Sequence, residues 1–170
     1  MRTLTHPGDP LEPRRLLAWA EGAAEWRVVL PEGTDLLSGL TEALTARGIT
    51  DAAVQIVSGS FSRMQYLTGQ PDPSGRRVAT YGAPTPLEGP VAIVGGNAIL
   101  GRDLEGRPLL HCHIVVVDRE GRVHGGHVPT DVCPTGPEGI VARVAVLTGA
   151  GFRVRPDSET NYTIFHPAEA

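Results

Sequence analysis

LLHCHIVVVDREGRVHGGHV, residues Leu109 to Val128, decides the fold by the way it pairs with itself. Leu109 to Val117 is rich in β-branched residues and Arg122 to Val128 returns, with Asp118-Arg119-Glu120-Gly121 turning between them. A three-residue loop, a type I turn followed by a left-handed residue, calls for Gly at its third position. Gly121 meets that demand if Arg119, Glu120 and Gly121 form the loop and Asp118 faces Arg122. Counting back along both strands then sets Val116 opposite His124 and His113 opposite His127. Because side chains alternate across a strand, His111, His113 and His127 project from one side and His124 and Cys112 from the other. A two- or four-residue loop would put His127 on the wrong side, so the inference hangs on the bulge.

Opposed Cβ atoms stand about 4.5–5.5 Å apart, close enough for two imidazoles to share one cation. Gly125 and Gly126 bring no side chains to crowd that approach. The spacing therefore nominates His111, His113 and His127 as ligands of one divalent metal. Neutral imidazoles suit Zn²⁺ best, although the ligand set alone also admits Fe, Ni, Cu or Mn. Cys133, six residues beyond His127, is a candidate fourth ligand that would close the site. His6, His124 and His166 are read as surface or hydrogen-bonded residues.

The remaining composition bounds the function. The 170 residues suit one domain with a real core, and 21 Gly and 15 Pro favour a loop-rich chain dominated by strands over a helical bundle. All fifteen basic residues are Arg. The absence of Lys excludes Schiff-base and P-loop lysine chemistry. A net charge of −4, with only the isolated pairs Arg14-Arg15 and Arg76-Arg77, argues against direct binding to DNA, which rewards clustered cations. Glu105-Gly106-Arg107-Pro108 is one residue away from the core of an AT-hook, and the acidic residue makes it a turn by coincidence. No apolar run approaches the roughly 20 residues of a membrane span, and two Cys without a signal peptide point to free thiols in the cytoplasm.

Along the chain, Met1 to Pro13 reads as a loose arm and Arg14 to Glu25 as a short helix with Leu16, Leu17 and Ala20 inward. Residues 1–25 are thus set apart from a domain over 26–166, with 167–170 as a tail. Arg27 to Leu30 is a first strand. Thr34 or Asp35 caps a helix carrying Leu36, Leu37, Leu40, Ala43 and Leu44 on one face, stopped by Gly48. Ala52 to Ser58 and Phe61 to Thr68 read as two strands, with Ser58-Gly59-Ser60 between them as a tight turn or an anion cradle. Gly69 to Gly75 is a surface loop, Arg76 to Tyr81 a short edge strand, Ala83 to Pro90 a connection and Val91 to Val94 a strand. Gly95-Gly96-Asn97 lacks the spacing and following helix of a nucleotide fingerprint, so its glycines mark a bulge or close backbone approach. Ile140 to Thr148 is a further strand, and Phe152 to Arg155 and Tyr162 to Phe165 are short terminal ones. The sum is an α+β domain with a largely antiparallel sheet and one main helix.

Several motifs in this order resemble one family. His111-x-His113, an acidic-Gly turn and Gly125-Gly126-His127 are similar to the signature of the PPC (plants and prokaryotes conserved) domain, whose bacterial members are often labelled as DNA-binding. Leu30-Pro31-Glu32-Gly33, Val57-Ser58-Gly59-Ser60, Gly95-Gly96-Asn97-Ala98 and Arg155-Pro156-Asp157 extend the resemblance over about Trp26 to Phe165. Val141-Ala142-Arg143 departs from it, where an acidic residue is expected. The resemblance implies an α+β fold assembled as a homotrimer with clefts at subunit boundaries.

Three His ligands leave a coordination position open for water or a substrate oxygen. A cation held by neutral ligands keeps its charge and attracts an anion, so the expected ligand is a small carboxylate or carbonyl compound. Asn97, the backbone around Ser58 and Ser60, and Arg63 or Arg155 are the residues nominated to orient it. The competing readings are a non-catalytic regulator that binds DNA or protein, and a structural trimer whose His cluster is vestigial.

Overall fold

Asp35 begins the single helix among the described residues. Its Oδ1 accepts from the backbone N–H groups of Leu37 and Ser38 at 3.0 and 3.2 Å, a cap of the kind worth about 1 kcal/mol. The helix, α1 (Leu36–Thr45), buries Leu36, Leu37, Leu40 and Leu44. It ends where Gly48 takes a positive φ of 71°. The computed structural model describes residues 5–10, 12, 18–19, 22–129 and 131–169.

The strands are β1 (Gly22–Leu30), β2 (Ala52–Tyr66), β3 (Gly69–Pro71), β4 (Ala79–Tyr81), β5 (Thr85–Arg102), β6 (Pro108–Val117), β7 (Val123–His127), β8 (Thr135–Thr148), β9 (Ala150–Asp157) and β10 (Tyr162–Glu169). The main sheet runs β1-β8-β2-β5-β6-β7, with the β9–β10 hairpin joined to β5 and β3–β4 forming a separate ribbon. All pairings are antiparallel except one parallel bridge, Arg102 to Arg153. The expected α+β class, largely antiparallel with one main helix, therefore describes the chain.

One face of the sheet carries Val54, Ile56, Ala98, Leu100, Cys112, Ile114, Ala142 and Val144, all buried with the leucines of α1 in one core. Each buried Val, Leu or Ile among them adds about 1.5–3 kcal/mol. The opposite face stays open, and Val57, Val94 and Val115 on it are 47%, 60% and 43% exposed.

Several boundaries differ from the sequence reading. Half of the short helix expected over Arg14 to Glu25 lies outside the described residues, and its last four residues, Gly22 to Glu25, pair with β8 as the start of β1. Ser58-Gly59-Ser60 is neither a tight turn nor an anion cradle. β2 runs through it as one strand, with register shifts against β8 on both sides. Gly59 has φ 127°, and a Cβ there would sit 2.1 Å from the Gly139 carbonyl oxygen. A bulge absorbs the irregularity and the strand continues. In the same way β5 unites the supposed connection from Ala83 to Pro90 with the strand after it. Its register shifts between Ile93 and Gly95, so the glycines there do mark a bulge. β3 and β4 occupy part of the expected surface loop and edge strand, and β10 continues through residues 167–169.

Candidate metal centre

The β6–β7 turn adopts the predicted geometry. Gly121 has φ 80°, its N–H donates to the Asp118 carbonyl at 3.1 Å, and the Asp118 N–H donates to the Arg122 carbonyl at 3.0 Å. Asp118 then fastens the turn through its side chain. Oδ1 accepts from the N–H groups of Glu120 and Arg122, and Oδ2 from Arg122 Nε at 2.7 Å. The resulting register sets Val116 against His124 and His113 against His127.

The two glycines preceding His127 have a second reason to be there. A Cβ on Gly125 would lie 2.6 Å from the Ile114 carbonyl oxygen, and one on Gly126 would lie 2.3 Å from that of Leu67. β7 is thus held between β6 and the segment just after β2. His127 exchanges both backbone hydrogen bonds with Leu67, each 2.9 Å. His127 is fixed from both sides by main-chain bonding.

His111, His113 and His127 converge on the open face. One ligand nitrogen from each lies within 4.8 Å of the other two, and the Nε2 atoms of His111 and His113 are 3.0 Å apart. Nitrogens sharing a tetrahedral Zn²⁺ at about 2.0–2.1 Å stand about 3.3 Å from one another. Burial, then the neighbouring His113, lowers the pKa of His111. Burial, then His111 and His113, lowers that of His127 to about 4. Both rings are therefore neutral at pH 7, the form that binds metal. His127 Nδ1 is buried without a hydrogen-bond partner, a state that costs about 1–3 kcal/mol if nothing satisfies it. This donor set fits a cation.

Of the residues nominated to orient a ligand, Asn97 alone comes to the histidines. It lies directly across from His113 on β5, and both line a cavity of ≈ 580 Å³ on the open face. Ser60 is buried on the core side, its Oγ without a partner. Ser58 pairs with Val141, exposed Arg63 pairs with Glu88, and exposed Arg155 pairs with Ile164. None of the four lines the cavities beside the histidines. Cys133 does not close the site either. Its thiol, fully buried, faces the Gln65 carbonyl at 3.5 Å, and burial pushes its pKa up to about 11, so it remains a protonated core residue like Cys112.

Other residues of the site were invisible in the sequence. The Tyr81 ring stacks on His127, with centroids 4.7 Å apart and 18° between planes. It arrives on the separate β3–β4 ribbon, so no local pattern linked it to the hairpin. Gln55 and Arg143 continue the row from His113 and Asn97 across β2 and β8. Arg143 stands in the stretch where the family resemblance leads one to expect an acid. It forms an exposed ion pair with Glu25 of β1, reaching Oε1 and Oε2 at 2.6 and 2.5 Å.

The profile of the Plants and Prokaryotes Conserved (PCC) domain matches residues 20–143. The chain belongs to the PCC domain family. Among curated proteins none matches it. Solved structures with this fold include a plant- and prokaryote-conserved protein of Pyrococcus horikoshii, at TM-score 0.73 and 17% identity over 92% of this chain and 100% of that one. The metal-containing protein AF0104 of Archaeoglobus fulgidus aligns at TM-score 0.69 and 19% identity, over 88% of this chain and 97% of its own. A protein of Ralstonia eutropha JMP134, provisionally named as DNA-binding, aligns at TM-score 0.65 and 18% identity, over 85% and 95%. At these identities the likeness extends to the fold of the PCC domain.

Proposed function

We propose that this PCC domain holds one divalent cation, best Zn²⁺, on His111, His113 and His127, and that the ion binds or acts on a small carboxylate or carbonyl compound. The observation that carries this reading is the convergence of three imidazoles on one face, with the buried His127 Nδ1 unpartnered. Among the described residues no fourth protein donor joins the group, which supports a site with an exchangeable position in place of a closed structural one. Such an ion supplies Lewis acidity to a bound oxygen. The chain's own residues present three imidazoles from two strands locked in register, and Asn97 offers an amide donor across from His113.

Elemental analysis of the purified protein tests the proposal. One metal per chain is expected, and His113→Ala should weaken binding by more than about 100-fold with the circular dichroism unchanged, since even outer-shell changes cost 10–100-fold. Full metal occupancy in the triple Ala variant of His111, His113 and His127 would overturn it.

The chain is further proposed to assemble as a homotrimer in the cytoplasm. The exposed valines of the open face support the assembly, and two free, buried thiols support a reducing compartment. No described helix is long and apolar enough to cross a membrane. The regulatory reading, with DNA as partner, is disfavoured by the net charge of −4, and some of the arginines are already held by carboxylates. Arg107 is tied to Asp103 and Glu105 in the turn that resembled an AT-hook, Arg122 to Asp118 and Glu120, and Arg143 to Glu25.

A further inference from the structure

A second cleft of ≈ 470 Å³ reaches the histidines from the side away from Asn97, lined by Tyr81, His111, His127, Tyr162 and Ile164 among others. Its volume lies within the range of small-molecule sites, about 300–1,000 Å³. We infer that this cleft takes an aromatic monocarboxylate, its carboxylate turned to the metal end formed by His111 and His127 and its ring lying among Tyr81, Tyr162 and Ile164. The inference rests on the metal reading above and names the class of molecule that the ion would meet.

Charge is the first argument. Apart from the two histidines, no titrating cation or carboxylate lines this cleft among the described residues. An anion is therefore attracted at one end only, and a second carboxylate on the ligand would be desolvated against apolar walls without a partner. The walls are the second argument. Tyr162 is fixed before any ligand arrives, its hydroxyl donating to the Ala79 carbonyl and its ring 4.6 Å from the Arg77 guanidinium carbon. Tyr81 is fixed by its stack on His127, and Ile164 is 39% exposed. Two anchored aromatic rings and an uncovered aliphatic side chain form a surface for a flat apolar group, with little ordering left to do on binding. The third argument is a free donor. The Tyr81 hydroxyl lies in the cleft wall and has no hydrogen-bond partner among the described residues, so it can donate to a ligand oxygen.

The test is a competition on zinc-loaded full-length protein, with metal content measured in the same samples. Benzoate, acetate and succinate are the probes, followed by ligand-observed NMR. Benzoate should bind about tenfold tighter than acetate, the scale of one aromatic contact with the area it covers, and succinate should gain nothing over acetate. Tyr81→Leu should remove the benzoate preference while zinc stays at one per chain, and Tyr81→Phe should keep most of it. Zinc bound at one per chain with benzoate no tighter than acetate, or a preference that survives Tyr81→Leu, would overturn this inference and leave the metal site standing. A chain that takes up neither zinc nor any other of the divalent metals offered (Fe, Ni, Cu or Mn) overturns the metal reading and this inference with it.

Discussion

His124 Nε2 lies 2.8 Å from Asp118 Oδ2, so the residue that closes the β6–β7 turn also grips the returning strand. On its other side His124 Nδ1 meets the Tyr66 hydroxyl at 3.2 Å, which ties the hairpin to the end of β2. Burial of the Asp118 carboxyl acts to raise its pKa, but the hydrogen bonds from His124 and Arg122 outweigh it and hold the group well below the usual carboxylate range. Asp51, raised by burial but lowered more by Arg153 and the Phe152 N–H, behaves alike. A depressed folded pKa stabilises fully above the unfolded value, about 3.9, and the contribution is lost as pH falls through the folded one. Stability should begin to fall below about pH 6.5, where unfolded histidines take up protons that His111 and His127 resist in the fold. It should fall further below about pH 4 as the two carboxylates lose their contribution. Asp118→Asn should melt lower at pH 7 and show a shallower acid decline, measured by thermal scans across pH.

Gly126→Ala is expected to damage the metal centre without touching a ligand. The added Cβ would press on the Leu67 carbonyl, and backbone against backbone has no flexible side chain to yield. Overpacking of this kind costs about 1–3 kcal/mol. A lowered melting temperature with weakened zinc uptake is the expected pair of results; unchanged zinc affinity would show that His127 does not depend on the Leu67 clamp.

Light scattering should return about three times the 18.0 kDa chain mass. Val115→Asp, placed on the open face, should shift the protein toward monomer, since an unpaired charge in a dry interface costs several kcal/mol. A wild-type mass of one chain over a wide concentration range would remove the trimer.

Duplex DNA should show no sequence-selective binding at physiological salt, where specific complexes have Kd of about 10⁻⁸–10⁻¹¹ M. Electrophoretic shifts at nanomolar protein on one sequence and not on another would restore the regulatory reading.

The hairpin was legible because two independent rules agreed on it. Gly121 fixed the loop, the period of two fixed the faces, and the observed pairing of His113 with His127 followed from counting. Where one rule stood alone the reading slipped. Ser58-Gly59-Ser60 has turn composition, yet hydrogen bonding to β5 and β8 carries β2 straight through it. Proline and glycine similarly concealed that β5 is a single strand of 18 residues. Asn97 could be found from the sequence because a glycine bulge beside a hairpin marks close approach. Tyr81 could not, since its neighbour His127 is 46 residues away in the chain and only tertiary packing joins them.

The β9–β10 hairpin, which carries Tyr162 and Ile164, joins the main sheet through a single parallel bridge at Arg102 and Arg153 and through the bonds of Asp51 to Phe152 and Arg153. β2, in contrast, is laddered on both edges. Local opening follows the weaker attachment. Amide hydrogens of β9 and β10 should exchange with solvent before those of β2 and β5. The end of the hairpin nearest the histidines is held instead by Tyr162 to Ala79 and by Arg77 to Asn161, so the wall of the tyrosine cleft outlasts the sheet edge that carries it.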